Sequence, residues 1–198
     1  MSAPFTPRLR PQAVDVATPP VSLAAIETAT VASGIRVGDA VVKMAPVTLF
    51  HAQPVSPGKF VVVFGGTVGD VAAAAPRGIE AAGAALTDSL VLAQCHADVH
   101  RVLAGQSAGP AGDALGVIET DGVPSTLLAA DRAAKTAPVR LRTIRLADGL
   151  GGRGFVLFDG TLSDVNAAIA AARAAVGTHL VDAVVVPRLA EPLRDRLY

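Results

Sequence analysis

Several residue types that often indicate a function are scarce in this chain. Among 198 residues there is no tryptophan, one tyrosine, two methionines and one cysteine, and aromatic residues make up only 4%. The single cysteine, Cys95, excludes an intrachain disulfide and suits a reducing compartment such as the cytosol. The apolar residues, 51% of the chain, are therefore mainly alanine, valine and leucine.

An excess of charge of either sign is also lacking. The 17 basic and 17 acidic residues give a formal net charge of zero, and no Lys/Arg-rich run or basic stripe with aromatics occurs. We therefore expect no nucleic-acid partner. The N-terminus has prolines at positions 4, 7 and 11 and no apolar core, so we expect no signal peptide and a cytoplasmic location.

Long hydrophobic runs are lacking as well, although the mean hydropathy of +0.48 is high. The longest apolar runs, residues 60–64 and 181–186, fall far short of the roughly 18 to 20 residues that a membrane span needs. We therefore expect no membrane partner. The remaining explanation is extensive burial between subunits, because obligate interfaces resemble a domain core cut in half.

The chain contains an internal repeat. Residues 23–28 (LAAIET) match residues 115–120 (LGVIET), positions that differ by 92. The same offset aligns Glu27 with Glu119, Asp39 with Asp131, and Lys43 with Lys135. Further on, Asp88 aligns with Asp182, so the offset has become 94 and the second copy has two extra residues, which we place in one loop between positions 141 and 152.

The repeat predicts four segments: an N-terminal arm (1–21), a first domain (22–103), a linker (104–113) and a second domain (114–198). The arm is rich in proline and has no periodicity, and the linker AGQSAGPAGD consists of typical loop residues. In the second copy, apolar periodicity and proline positions predict the order β-α-β-β-α-β. The predicted strands are 114–120, 139–147, 154–159 and 180–186, and the predicted helices are 124–136 and 162–176. The fold class is therefore α+β: two tandem βαββαβ domains, each a mostly antiparallel sheet covered by helices.

These elements carry motifs that resemble the bacterial microcompartment shell domain. The motifs are ALGVIETDG (114–122), a helix with Asp131 and Lys135 followed by AP-V, a Gly-rich loop (149–152) and the closing VVVPR (184–188). The first copy repeats them as IETATVASGIRVGDAVVKMAPV, and the resemblance covers residues 22–198. Both copies open on the IET strand, so the order is unpermuted, which favours a single-layer assembly over stacked trimers.

The resemblance implies a structural protein and not an enzyme. Two-domain members of the family form homotrimers that look like hexamers, and these flat tiles build the shell wall together with hexameric tiles and pentameric vertex proteins. Small metabolites cross through a central pore. Some trimeric tiles hold an iron–sulfur cluster through one loop cysteine per chain, but neither loop here contains cysteine, so we expect no cofactor.

The resemblance also implies that one loop of each copy surrounds the symmetry axis. Glycine suits this position, since six converging loops leave no room for bulky side chains. Lys59 and Arg153 follow the loops and favour small polar or anionic metabolites, whereas Asp148 opposes that preference. Because the two loops differ, the pore should be threefold; the alternative is that both are ordinary hairpin turns. The predicted pore-lining residues are Val55, Ser56, Pro57, Gly58, Leu150, Gly151 and Gly152.

A second set of residues is implied to lie along the tile edges, where tiles contact one another. It consists of Asp39, Lys43, Asp131, Lys135 and Arg188. The alternative is that each Asp/Lys pair is a solvated helix pair worth about 0.3 to 0.5 kcal/mol. Recurrence of the pair in both copies favours the edge role. Glu27 and Glu119 are also equivalent, which indicates a structural hydrogen bond in each copy.

Other motifs are weaker. Gly149, Gly151 and Gly154 spell G-x-G-x-x-G, but the motif leads into a predicted strand and not a helix, so it is not a dinucleotide site. His96 and His100 could share a helix face near Cys95, yet the ligand pattern of a zinc site is missing and we predict no metal. The alternative functions are a tandem-domain regulatory protein that binds a small molecule, and an enzyme with a site at the domain junction.

Overall fold

The structure, a computed structural model, describes residues 21–106 and 109–197. Most of the predicted arm (1–20), residues 107–108 of the predicted linker and residue 198 lie outside this range. The first domain contains β1 (Ser22–Thr28), α1 (Val31–Met44), β2 (Thr48–Val55), β3 (Lys59–Gly66), α2 (Val68–Ala82), β4 (Leu86–Leu92) and α3 (Ala97–Leu103). The second contains β5 (Ala114–Thr120), α4 (Val123–Thr136), β6 (Arg140–Arg145), β7 (Gly154–Gly160), α5 (Leu162–Val176), β8 (Leu180–Pro187) and α6 (Glu191–Leu197).

The two sheets have the same topology. Their strand orders are β2-β3-β1-β4 and β6-β7-β5-β8, and every pair of neighbouring strands is antiparallel. The registers also agree: Ile26 lies opposite Val62 in the first sheet, and Ile118 lies opposite Val156 in the second. The predicted fold class, two tandem unpermuted βαββαβ domains, is confirmed.

The second helix of each domain has the same start and stop signals. Thr67 Oγ1 accepts the backbone N–H of Asp70 at 3.1 Å in α2, and Thr161 Oγ1 accepts that of Asp164 at 3.2 Å in α5. At the other end Gly83 and Gly177 have positive φ angles of 56° and 55°. Such caps fix where Ala-rich sequences begin and end as helices.

The central strand of the first sheet is buried on both faces. Ala24 and Ile26 of β1 pack with the valines of α1 on one face. Leu23 and Ala25 face the other way, into a buried cluster that also contains Leu127 of α4. The second domain therefore covers the face of the first sheet that its own helices leave open, and the hydrophobic core runs through the domain junction.

Two short helices were not predicted from the sequence as elements. Helices α3 and α6 follow the last strand of each domain, and their bounds, Ala97–Leu103 and Glu191–Leu197, differ by the same offset of 94 positions. Between the domains, residues 104–106 and 109–113 form no helix or strand. Each domain thus ends in a seven-residue helix at an equivalent position.

Candidate pore loops and the domain junction

The two loops predicted to line a pore are the β2–β3 and β6–β7 hairpin connections. The first comprises residues 56–58 and the second residues 146–153. Gly58 has a φ of 101°, and the longer loop turns on Gly149, Gly151 and Gly152, with φ between 63° and 91°. These left-handed conformations explain why glycine occupies the positions. The length difference inferred from the repeat therefore falls in this hairpin.

The two loops lie side by side within one chain. A Cβ atom added to Gly152 would lie 3.2 Å from the carbonyl oxygen of Ser56 and 3.6 Å from the ring of Pro57. Of the predicted pore-lining residues, Val55 and Gly152 are buried within the chain. The exposed members are Ser56, Pro57, Gly58, Leu150 and Gly151.

Behind each loop, one cation pairs with one glutamate. Lys59 Nζ lies 2.5 Å from Glu27 Oε1 in the first domain, and Arg153 Nη1 lies 3.3 Å from Glu119 Oε1 in the second. The first pair is largely buried, whereas both side chains of the second are substantially exposed. The glutamates offset the positive charge next to the loops, which weakens the anion preference that the sequence suggested.

Glu27 also joins the two domains. Its carboxylate accepts a hydrogen bond from Thr87 Oγ1 at 3.1 Å, and its Oε2 accepts the backbone N–H of Val123 at 3.3 Å. Val123 is the first residue of α4, whose N-cap, Gly122, has no side chain to accept that hydrogen bond. A carboxylate from the first domain therefore stabilises a helix N-terminus in the second.

The two predicted tile-edge pairs lie in different surroundings. Lys43 Nζ and Asp39 Oδ2 are 2.7 Å apart on the exposed surface of α1. Lys135 Nζ and Asp131 Oδ2 are also 2.7 Å apart, but the Asp131 side chain is only 1% exposed. The Asp/Lys pair that recurs in the sequence thus lies in a different environment in each domain.

The second pair bonds to the end of the first domain. Asp131 Oδ1 accepts the backbone N–H of His96 at 2.9 Å, and Lys135 Nζ donates to the carbonyl of Gln94. Asp131 therefore belongs to the domain junction, whereas Lys135 retains an exposed surface. The remaining edge candidate, Arg188, is exposed after β8, has a φ of 50°, and its N–H donates to the carbonyl of Asp113 at 2.9 Å.

An open groove lies beside this junction. Its volume is about 380 Å³, and two exposed cations, Arg132 and Lys135, stand beside apolar side chains of the first domain. The lining residues are Val68, Val91, Leu92, Ala93, Gln94, Asp131, Arg132 and Lys135. The groove is accessible from outside the chain and contains one of the predicted edge lysines.

Near the junction His100 is buried, and His51 and Cys95 are half-buried. Burial lowers the pKa of both His51 and His100 to about 4, and burial, followed by the nearby Asp131 carboxylate, raises the pKa of the Cys95 thiol to about 12. His100 stacks against Phe50 with ring centroids 5.6 Å apart. Residues 21–106 and 109–197 contain no group of three or more His, Cys, Asp or Glu that could hold a metal ion.

The repeated fold, the paired loops and the shared junction define a tandem-domain protein, and comparison with known proteins assigns its family. The model of the BMC (bacterial microcompartment) domain matches residues 22–95 and again residues 114–189, so the chain belongs to this family and carries its domain twice. Over the part of the chain that the structure describes, no helix has the length and apolar character needed to cross a membrane.

Individual relatives extend the comparison. The chain is 38% identical over 165 residues to the bacterial microcompartment shell protein PduT of Citrobacter freundii, covering 82% of this chain and 90% of that protein. A microcompartment protein from Desulfitobacterium hafniense superposes with a TM-score of 0.82 at 35% identity, covering 88% of this chain and 98% of that structure. The fused permuted hexameric shell protein of the RMM microcompartment gives 0.59 at 28% identity, covering 78% and 83%.

Sequence reasoning missed the partners of the recurring residues. It identified Glu27, Asp131 and Lys135 by their recurrence but assigned them no contact across the domain junction. Gln94, whose carbonyl completes that junction, and Thr87, which binds Glu27 from within the first domain, carry no motif. A repeat identifies equivalent positions, whereas the contact between the two copies depends on tertiary packing.

Proposed function

We propose that three copies of this shell protein form a flat pseudohexameric tile with a threefold central pore for small metabolites. The observation that supports a trimer is a difference in exposure between the equivalent helices α1 and α4. Val123 and Leu127 of α4 are fully buried, because the first domain covers them. Their counterparts in α1, Val31 and Ile35, are 37% and 59% exposed.

The same contrast continues along both helices. Val42 of α1 is 44% exposed, whereas its counterpart Ala134 is 8% exposed. An apolar stripe that is buried in one copy and open in the other is what a chain presents when its next neighbour is a second molecule of itself. Three chains supply six domains, which closes the ring of a pseudohexamer.

Closure of that ring would bring the two loops of each chain to one axis. The loops already lie together, with Gly152 against Ser56. They differ in length and in residue type, so the opening would alternate between Ser/Pro-bearing and Gly-rich segments and have threefold symmetry. Backbone groups and the Ser56 hydroxyl would line it, which suits small polar metabolites.

The outer edges would bind other tiles and the vertex proteins. Lys43 and Lys135 are exposed near the ends of α1 and α4, and Arg188 is exposed after β8. Of the three, Lys135 lines the junction groove. We propose these three side chains as edge contacts, and we assign the buried Asp131 a supporting role, since it holds Lys135 at 2.7 Å. No catalytic role is proposed for any residue.

Native mass spectrometry tests the assembly, and electron microscopy tests its shape. We expect a species of about 60 kDa, three times the 19.9 kDa of one chain, and flat six-lobed discs with a central hole. Compact dimers whose mass or shape changes with a small molecule would instead support a regulatory protein and contradict the tile.

The edge contacts are tested separately by Lys135→Ala. We expect this variant to form trimers but to lose extended sheets of tiles, since Lys135 is exposed beside the groove. Arg173→Ala, on the exposed turn of α5 away from that groove, is the control and should form sheets normally. Sheets of normal size from the Lys135 variant would contradict the edge role.

A further inference from the structure

The junction inside the chain uses side chains that both domains carry. Glu27 binds the first backbone N–H of α4, while Asp131 and Lys135 of α4 bind backbone groups that follow β4. In the other copy the equivalent side chains are Glu119, Asp39 and Lys43. All the groups they would bind across a second junction are backbone atoms, so the identity of the residue there is unimportant.

The two surfaces that the internal junction leaves uncovered, one in each domain, therefore match each other. The offset of 94 places Arg188 at the position of Gln94 and Ala190 at the position of His96. By this offset the carbonyl of Arg188 corresponds to the group that Lys135 binds, and the N–H of Ala190 to the group that Asp131 binds. The backbone differs locally, since the carbonyl of Val21 is bound by the N–H of Cys95, whereas that of its counterpart Asp113 is bound by the N–H of Arg188, one position earlier, where φ is 50°. Asp39 and Lys43 already form the same ion pair, at 2.7 Å.

The short terminal helices show the same relation. Helix α3 packs against β6 and α4 of the second domain, and its Val99 is fully buried there. In α6 the equivalent residue is Leu193, which is 50% exposed. Leu197 packs with Leu115, Leu157 and Leu189 beneath the second sheet, so α6 is held in place with its apolar Leu193 side chain uncovered.

We propose that residues 188–197 dock onto a second copy of this chain. Lys43 and Asp39 of that copy bind the carbonyl of Arg188 and the N–H of Ala190, and Leu193 packs against its α1 and β2. Lys43 keeps an exposed surface for the tile edge, as Lys135 does beside the internal junction. Glu119 accepts the first N–H of the same α1, as Glu27 does in α4. This contact rests on the proposed trimer and identifies the residues that hold it together.

One contact of the internal junction cannot be repeated. Arg101 of α3 donates to the carbonyl of Leu141 in β6 at 2.8 Å. Its counterpart in α6 is Asp195, whose carboxylate oxygens accept hydrogen bonds and cannot replace the guanidinium as a donor. The junction between chains therefore lacks this hydrogen bond and relies more on Leu193 than the internal junction relies on Val99.

Site-directed cross-linking tests the docking in the full-length protein. In a Cys95→Ser background, Asp39→Cys combined with Ala190→Cys should be joined between chains by a short bismaleimide, giving covalent species of two and three chains. The matched pair His96→Cys with Asp131→Cys should be joined within one chain. Trimers in native mass spectrometry without a cross-link between positions 39 and 190, while the matched pair reacts, would overturn the docking and leave the tile intact.

Leu193→Asp supplies a second, independent measurement. Placing a carboxylate in an apolar contact should raise the concentration at which trimers dissociate by roughly tenfold or more. Leu162→Asp is the control, because Leu162 and its counterpart Val68 are exposed to the same extent, 45% and 46%: Val68 lines the open groove beside the internal junction but is not covered by it. Equal dissociation concentrations for the two variants would overturn the docking. A wild-type chain that forms no trimer would overturn both the docking and the proposed function.

Discussion

Replacement of Ile35 by alanine should weaken the trimer without affecting the fold of one chain. Ile35 is 59% exposed on α1, whereas its counterpart Leu127 on α4 is fully buried by the neighbouring domain. If each junction between chains repeats the junction within the chain, Ile35 becomes buried on assembly. Its side chain then contributes to association and very little to the stability of the isolated domain.

The size of the effect follows from the area involved. Complete burial of an isoleucine side chain is worth about 1.5 to 3 kcal/mol, so burial of the exposed 59% is worth about 0.9 to 1.8 kcal/mol. Alanine retains about a third of this, which leaves a loss of about 0.6 to 1.2 kcal/mol. Three equivalent junctions lose about 2 to 3.5 kcal/mol per trimer. Since trimer formation depends on the concentration of three chains, the dissociation midpoint should rise about 5- to 20-fold.

Mass photometry or native mass spectrometry over a dilution series measures that midpoint. Leu162→Ala is the control, since Leu162 is as exposed as its counterpart Val68 and should leave the midpoint unchanged. Circular dichroism should give the same spectrum for both variants. The reasoning is refuted if Ile35→Ala dissociates at the wild-type concentration, because the exposed stripe of α1 would then not be covered by a second chain.

Three further predictions concern the pore, the ion pair between Asp159 and Arg142, and pH. Ser56→Trp should slow metabolite passage through reconstituted shells without preventing trimer formation, because Ser56 is exposed in the short loop; unchanged permeability contradicts the pore assignment. The Arg142 guanidinium is only 6% exposed and lies 2.7 Å from the Asp159 carboxylate. Because Asp159→Ala removes this carboxylate, it should destabilise the fold by about 3 kcal/mol or more and lower Tm by at least about 6 °C in a thermal melt. Since the pKa of His100 falls from 6.5 to about 4 on folding, its contribution is fully present above pH 6.5 and lost as the pH falls towards 4, by up to about 3 kcal/mol. His100→Leu should therefore flatten the stability curve between pH 6.5 and 4, and a curve as steep there as that of wild type would contradict this. His51, whose pKa is also lowered from 6.5 to about 4, should contribute to the slope that remains in this range.

Much of the fold could be predicted because local signals agree with the tertiary structure. Helix α5 begins and ends as predicted, since Thr161 caps its first turn and Gly177 stops it. Strand β5 also has its predicted bounds. In both elements a short-range signal, a cap or an apolar run between polar residues, is enough to set the bounds.

The short helices could not be predicted for a physical reason. Seven residues are too few to be stable as an isolated helix, so α3 and α6 depend on what they pack against. Val99 of α3 is buried by elements of the other domain, a contact that periodicity within the segment does not reveal. The strand predicted at 139–147 is longer than β6, which ends at Arg145. Beyond it Ala147 has a φ of 62°, outside the β region, because the chain is already turning into the loop.

The candidate site could be predicted only in part. Recurrence selected Asp131 and Lys135, but a repeat cannot show that Asp131 is buried against the first domain while Asp39 is exposed. The loops were selected by their glycines, and the structure places them next to each other. Their role in a pore stays a prediction, because it depends on chains beyond the one described.

The duplication explains which residues can differ between the two copies. In the proposed trimer one internal junction and one junction between chains together complete a third of a turn, and the ring approaches sixfold symmetry when the groups that form the two junctions are alike. The glutamates at 27 and 119 and the Asp/Lys pairs meet this requirement. The loops, and the side chains at 94 and 188, need only threefold symmetry, because the proposed junctions use only backbone groups at 94 and 188. There the copies differ: a Ser/Pro loop against a Gly-rich one, and Gln94 against Arg188. Fusion of two domains in one chain would thus permit a pore lining and a tile edge that six identical domains could not form, while most contacts of the internal junction have counterparts in the proposed junction between chains.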